Sequence, residues 1–284
     1  MYVITGASGH VGGAAASTLL SQGKLVKVIV HDAAKGEAWK AKGAEVALGD
    51  LTDGAFLAKA FTGATAAFIM LPANYADPDF FGWQCRTSDT IAAAVKQSGV
   101  PRVVMLSSVG ADLESGTGPI KGLHYLEKVL HTSGAELTAI RAGYFQENVA
   151  NNLGAAKGMG IFPNFTPSAD YPMPMIATKD IGALVVKSLL DPVKGGEVVD
   201  LQGPAYSIRQ VAEKLGTALG KPLQIVDIPQ DQWIPSLLKA GLPPHVAAVY
   251  AEMYGGFASG RIAPHGQRLV KGETTLDEVI KGLV

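Results

Sequence analysis

The chain is poor in cysteine and carries no surplus of charge of either sign. Its single thiol, Cys85, cannot close an internal disulfide, so no covalent staple is available. The expected place for Cys85 is a small apolar site in the core, and the composition suits a reducing, cytoplasmic setting. Lys plus Arg number 24 against 25 Asp plus Glu, for a formal net charge of −1. That balance supplies no basic surface to neutralise phosphates and argues against a nucleic-acid partner. No apolar run reaches the roughly 18 residues of a membrane span, so no membrane partner is expected. The first residues enter a strand with no basic segment or small-residue cleavage site, and no secretory signal is expected. Only 17 % of residues are charged and 48 % are apolar, which excludes a disordered chain. The 34 glycines follow no triplet period, which excludes a collagen. The six histidines form neither H-E-x-x-H nor a cysteine-paired spacing, so no metal site is expected.

What remains is a chain of 284 residues, enough at roughly 150 residues per domain for one large domain or two coupled ones. Its first half alternates short β-branched runs with helical spacing. Strands are expected at Met1–Thr5, Leu25–Val30, Ala44–Leu48, Ala66–Leu71, Arg102–Ser107 and Leu137–Arg141. Helices are expected at Ala14–Gln22, Lys35–Lys42, Phe56–Phe61, Thr87–Ser98 and Leu123–His131. This α/β alternation predicts a doubly wound parallel sheet, with a ligand crevice at the strand C-termini. After about Ala150 the pattern changes. Met159–Met175 reads as irregular chain, Thr178 is expected to cap a helix through Ile181–Leu190, and Glu197–Leu201 is a further strand. Ser207 with Gln210 reads as a capping box, and Thr275 with Glu278 as the cap of a last short helix. A strand at Pro222–Ile228 and helices at Gln232–Lys239 and His245–Phe257 complete the expected elements. The expected organisation is a domain over 1–150, rejoined by a strand near 176–202, and a smaller C-terminal α/β lobe over 151–284.

The strongest motif is Thr5-Gly6-Ala7-Ser8-Gly9-His10-Val11-Gly12-Gly13, between the first strand and the first helix. Gly6 permits a sharp turn, Gly9 lets a diphosphate approach the backbone, and Gly12 lets helix and strand pack closely. The end of the second strand, about 20 residues beyond Gly12, should meet the adenosine ribose. There Asp32 argues for NAD, while His31 and Lys35 argue for the 2′-phosphate of NADP. Asp50, in Gly49-Asp50-Leu51, is placed to accept a hydrogen bond from the adenine amine. Ser107 and Ser108 end the fifth strand at the crevice, outside any G-x-S-x-G, and read as polar contacts near the nicotinamide ribose.

Together with the glycine motif and Gly49-Asp50-Leu51, two further stretches carry a resemblance. These are His124-Tyr125-Leu126-Glu127 and Leu137-Thr138-Ala139-Ile140-Arg141-Ala142-Gly143-Tyr144-Phe145-Gln146-Glu147-Asn148. The sequence resembles the NmrA-like branch of the atypical short-chain dehydrogenase/reductases from its first strand to about residue 200, and more loosely beyond. The resemblance implies a Rossmann-like, NAD(P)-binding fold with a small lobe over the substrate, and NADP(H) in preference to NAD(H), which remains admissible. Relatives usually carry Arg where His31 stands, and Lys35 matches their second basic position. The cofactor set implied is Gly6, Ala7, Ser8, Gly9, His10, Val11, Gly12, His31, Lys35, Asp50, Leu51, Leu71, Pro72, Ser107, Ser108 and Tyr144.

Many related dehydrogenases use a Tyr-x-x-x-Lys pair. Here those positions hold Pro119 and Leu123, and Tyr125 and Lys128 are spaced one residue too close. Reducing a plain ketone makes a localised alkoxide that needs a positioned proton donor. A quinone or cationic dye spreads the incoming charge, so water can deliver the proton afterwards. The missing pair therefore favours a conjugated small-molecule acceptor over an alcohol substrate. The apolar slot for such a ring is expected from Phe80 and Phe81, from Tyr144, Phe145 and Asn148, and from Phe162 with Met173 to Ile176. Asn148 is the polar candidate to orient the ring. The expected function is flavin-free hydride transfer from NADPH to a quinone-like acceptor. The alternative is a non-catalytic NAD(P)-sensing regulator that binds a protein partner. Apolar helices on such a sheet are also compatible with a homodimer.

Overall fold

The computed structural model describes all 284 residues. Six strands open the chain: β1 (Tyr2–Ile4), β2 (Val26–Val30), β3 (Glu45–Leu48), β4 (Ala66–Met70), β5 (Arg102–Ser108) and β6 (Glu136–Ala142). Between them run α1 (His10–Ser21), α2 (Ala33–Ala41), α3 (Gly54–Phe61), α4 (Phe80–Ser98) and α5 (Ile120–His131). These strands join an eight-stranded sheet whose order from one edge is Arg268–Lys271, Glu197–Gln202, β6, β5, β4, β1, β2, β3. Every pairing in it is parallel. The order reverses beside β1, where Tyr2 pairs with Val26 on one side and Ala66 on the other. Such a switch point opens a crevice above the strand C-termini.

Strand side chains alternate between faces, so each strand feeds two cores. Ile4, Val28, Phe68, Val104 and Ile140 pack with α1 and the helix Thr178–Leu190. Val3, Ile29, Ile69, Met105 and Ala139 pack with α3, α4 and α5. Both faces are therefore covered, which is why these strands read as continuous apolar runs. A separate cluster of Val149, Phe162, Met175, Val211, Leu215 and Leu276 packs outside these two cores.

The chain returns to the main sheet twice after Ala150. Glu197–Gln202 was expected as a strand, but Arg268–Lys271 was not; its residues are mostly exposed, so it lacks the apolar alternation of a half-buried strand. Helix α4 starts at Phe80 instead of Thr87, because Asp79 caps it by accepting the Gly82 N–H. Thr178 does not cap its helix. It is the first helical residue, and its N–H and hydroxyl both donate to Glu147. The Ser207–Gln210 capping box and the Thr275 cap form as read. Cys85 is half-buried on α4 instead of lying in the core. No helix is long and apolar enough to cross a membrane.

Candidate functional site

The turn after β1 is built for close approach. Gly6 adopts φ +65°, and a Cβ on Gly12 would sit 2.4 Å from the Gly6 carbonyl oxygen. Gly9 spends its N–H on that same carbonyl, at 2.9 Å. No side chain caps α1, and the N–H groups of His10, Val11 and Gly12 have no partner within the chain. Three unsatisfied donors at the positive end of a helix dipole suit a diphosphate. Ser8, Gly9 and His10 are exposed above them. The Ala7 and Val11 side chains are buried, so those two residues can meet a ligand only through backbone atoms. Thr5 fixes the neighbouring strand by accepting the Met70 N–H at 2.9 Å.

The ribose end differs from the sequence reading in one respect. Asp32 caps α2, its carboxylate accepting the N–H groups of Ala34 and Lys35 at 2.8 and 3.1 Å. The Lys35 N–H is the main cause that holds this carboxyl below its ordinary range. That carboxylate oxygen is thus occupied by the helix, and the argument for NAD weakens. His31 and Lys35 are exposed, and neither side chain has an ion-pair partner. Asp50 is exposed, with one oxygen accepting the Thr52 hydroxyl and N–H at 2.7 and 2.8 Å. Those two bonds, the hydroxyl first, keep the carboxyl ionised below its usual range. Leu51 and Leu71 pack against the second core, and Pro72 is half-buried.

Ser107, expected near the nicotinamide ribose, has its side chain already engaged. It is 3 % exposed, and its hydroxyl donates to Glu127. Glu127 also receives Arg141 in a two-pronged pair, at 2.6 and 3.0 Å. Burial opposes the Arg141 charge, and the Glu127 carboxylate overrides it. Asp112 lies 3.6 Å from the other guanidinium nitrogen and is bonded at 2.9 Å to His265. Ser107 therefore belongs to an ionic tie beneath the crevice. Ser108, half-buried, donates to the Val109 carbonyl oxygen at 3.0 Å. The Tyr125 phenol donates to Asp89 on α4, away from the crevice.

Beside the ends of β5 and β6 opens a cavity of about 890 Å³. Of the residues read as a ring slot, Tyr144, Asn148, Phe162 and Met173 to Met175 line it. Phe145 turns into the main core, Ile176 is fully buried, and Phe81 is exposed outside the cavity. Phe80 is 4 % exposed and only backs the wall, stacking on Tyr75 at 5.5 Å. These differences follow from direction: neighbours on a short strand face opposite sides, and Phe80 begins a packed helix.

The sequence reading missed most of the wall. Tyr75 lies in the loop after β4, and the helix Pro244–Ala258 supplies Val246, Tyr250, Met253, Tyr254 and Phe257. Their spacing of three and four marks one helical face, the signal that could have found them. Tyr75 and Tyr250 share a hydrogen bond at 2.6 Å across the cavity rim. Tyr254 stacks on Phe165 at 5.0 Å and meets the edge of Trp233 at 5.8 Å. Burial pushes the Tyr144, Tyr250 and Tyr254 phenols above their ordinary range, so all three stay neutral. No group of three or more His, Cys, Asp or Glu side chains is gathered as metal ligands would be.

The family model for the NmrA-like family matches residues 2–278. The chain belongs to the NmrA-like family. This NmrA-like chain is 28 % identical over 256 residues to the NAD(P)H azoreductase of Xenophilus azovorans, covering 89 % of this chain and 86 % of that one. Its fold matches an NADPH-dependent quinone oxidoreductase from Escherichia coli, crystallised with NADPH, at a TM-score of 0.83 and 24 % identity, over 100 % of this chain and 99 % of the other. It also matches the Citrobacter sp. triphenylmethane reductase complexed with NADP(H), at 0.83 and 19 % identity, over 100 % of both chains.

Proposed function

We propose that this NmrA-like protein is a cytoplasmic oxidoreductase that passes hydride directly from NADPH to a quinone-like or other conjugated aromatic small molecule, without flavin. One juxtaposition carries the reading. The unpartnered N–H groups of α1 and a large aromatic cavity lie on the same C-terminal edge of the sheet. The residues fit a dinucleotide: the Gly6–Gly12 turn would hold its diphosphate, His31 and Lys35 its 2′-phosphate, and Asp50 its adenine amine. Reduced nicotinamide, when bound there, supplies the hydride.

The chain's own part is orientation and exclusion of water. Tyr144 and Asn148, which follow β6, sit where they can direct the polar edge of an acceptor, while Phe165 and Tyr254 offer ring faces. The neutral phenols donate hydrogen bonds without bringing charge. No Tyr-x-x-x-Lys pair stands ready to protonate a localised alkoxide, which suits an acceptor that delocalises the new charge. Names of relatives point the same way, toward azo, quinone and triphenylmethane acceptors.

The test is NADPH oxidation with a panel of benzoquinones and naphthoquinones. Turnover above buffer is expected, with NADPH preferred over NADH about tenfold, or about 1.4 kcal/mol. No turnover with any acceptor would overturn the reading. Cofactor binding without turnover, joined to recovery of a protein partner, would select the regulator instead.

A further inference from the structure

The cavity wall contains no Asp, Glu, Lys, Arg or His among its 38 residues. In a chain that is 17 % charged, about six charged residues would be expected in a wall of that size. The basic groups near the rim are also engaged elsewhere. His245 is bonded to the Tyr75 carbonyl oxygen at 3.1 Å, His265 to Asp112 at 2.9 Å, and Lys121 pairs with Glu252 at 3.4 Å. The Arg261 guanidinium carries no ion pair but lies against Gly116, outside the cavity, so the wall itself supplies no counter-ion to an anion.

The wall does carry aromatic faces, among them Tyr144, Phe165, Tyr250, Tyr254 and Phe257. Ring faces are electronegative, so they attract cations and repel anions. Two of the phenols, Tyr75 and Tyr250, already share a hydrogen bond and are less free to solvate a guest. An anion entering this space would give up its hydration and receive no charged partner. A delocalised cation would exchange hydration for ring faces, and a neutral ring would lose little.

We propose that the cavity sorts its guests by sign of charge: neutral aromatic acceptors and those bearing a weakly hydrated cation, delocalised or quaternary, enter, and aromatic acceptors bearing a sulfonate or carboxylate are turned away. The substrate class is thereby narrowed. The term acceptor rests on the redox reading above, while the charge rule is a statement about binding and is tested as such.

The experiment is calorimetric titration of the full chain, without nucleotide so that no nicotinamide cation enters the site, by 2-methyl-1,4-naphthoquinone and three derivatives of it. One bears a sulfonate, one a sulfonamide of matching size, and one a trimethylammonium group. The sulfonate is expected to bind at least a hundredfold more weakly than the parent. The sulfonamide and the ammonium derivative should fall within tenfold of the parent. A sulfonate within tenfold of the parent overturns the proposal. So does a sulfonamide as weak as the sulfonate, which would make size the cause, or an ammonium derivative as weak as the sulfonate, which would remove the sign. NADPH oxidation is then measured with the same compounds. A neutral ring that binds and is never reduced defeats the redox reading and leaves the charge rule standing.

Discussion

Two regions at the C-terminal edge of one sheet treat charge in opposite ways. Beneath the crevice, Ser107, Glu127, Arg141, Asp112 and His265 form an ionic tie joining β5, α5, β6 and the following loops. A few residues further along the same strands, past Val109 and Gly143, the cavity wall contains none of the charged residue types. The first region uses charge to fix geometry, because a two-pronged Arg–carboxylate pair tolerates few arrangements. The second uses ring packing and shape, and stays neutral so that it can accept a variable guest. Burial alone explains neither; what differs is that the first region holds charges paired with one another and the second holds none.

Glu127→Ala is expected to have the largest effect on this contrast. It leaves Arg141 buried without its hydrogen-bonded carboxylate, with Asp112 at 3.6 Å and Asp200 opposite it on the neighbouring strand, and should cost roughly 3–5 kcal/mol in urea unfolding. Replacing Glu127 and Arg141 together with Met should cost less than Glu127→Ala alone; a larger cost would show that the tie stabilises in its own right. Lys35→Ala comes next. Removing one exposed cation should loosen NADPH about tenfold, about 1.4 kcal/mol, and leave NADH within twofold, read by fluorescence titration of both nucleotides. Equal loss for both would move the ribose site elsewhere.

Tyr250→Phe removes the hydrogen bond to Tyr75 and should cost roughly 0.5–1.5 kcal/mol in the same unfolding assay. A loss as large as that of Glu127→Ala would erase the distinction between the two regions. The smallest effect is in the phenols themselves. Burial is the main cause that raises Tyr144, Tyr250 and Tyr254, so an ultraviolet titration should leave these three of eight tyrosines silent until alkaline unfolding. Because a phenol's folded value lies above its unfolded one, these groups keep their full contribution below the ordinary tyrosine value and lose it as pH rises past it. Stability should therefore fall on the alkaline side, and Tyr144→Phe should soften that fall.

The glycine turn and the second strand were legible because they are local. Gly6, Gly9 and Gly12 lie within one turn between a strand and a helix, and His31 and Lys35 sit at the end of the next strand. Even there, short range misled. Asp32 has the sequence position of a ribose ligand and of an N-cap alike, and two backbone N–H groups claimed it. Ser107 looked like a crevice contact, yet its partner is 20 residues away on a helix packed beneath the sheet. The cavity was legible only in part. Tyr144 and Asn148 follow a strand whose end could be placed. Tyr75 and Tyr250 stand 175 residues apart.

By itself the sequence determined the parallel α/β alternation and the glycine turn, since each follows from periodicity and backbone freedom within a few residues. Only the tertiary structure decided which polar groups are already spent and which aromatic side chains share a wall. The physical reason is that a hydrogen bond or a ring contact is set by distance in space, and the chain brings distant residues together only after its helices have packed on the sheet.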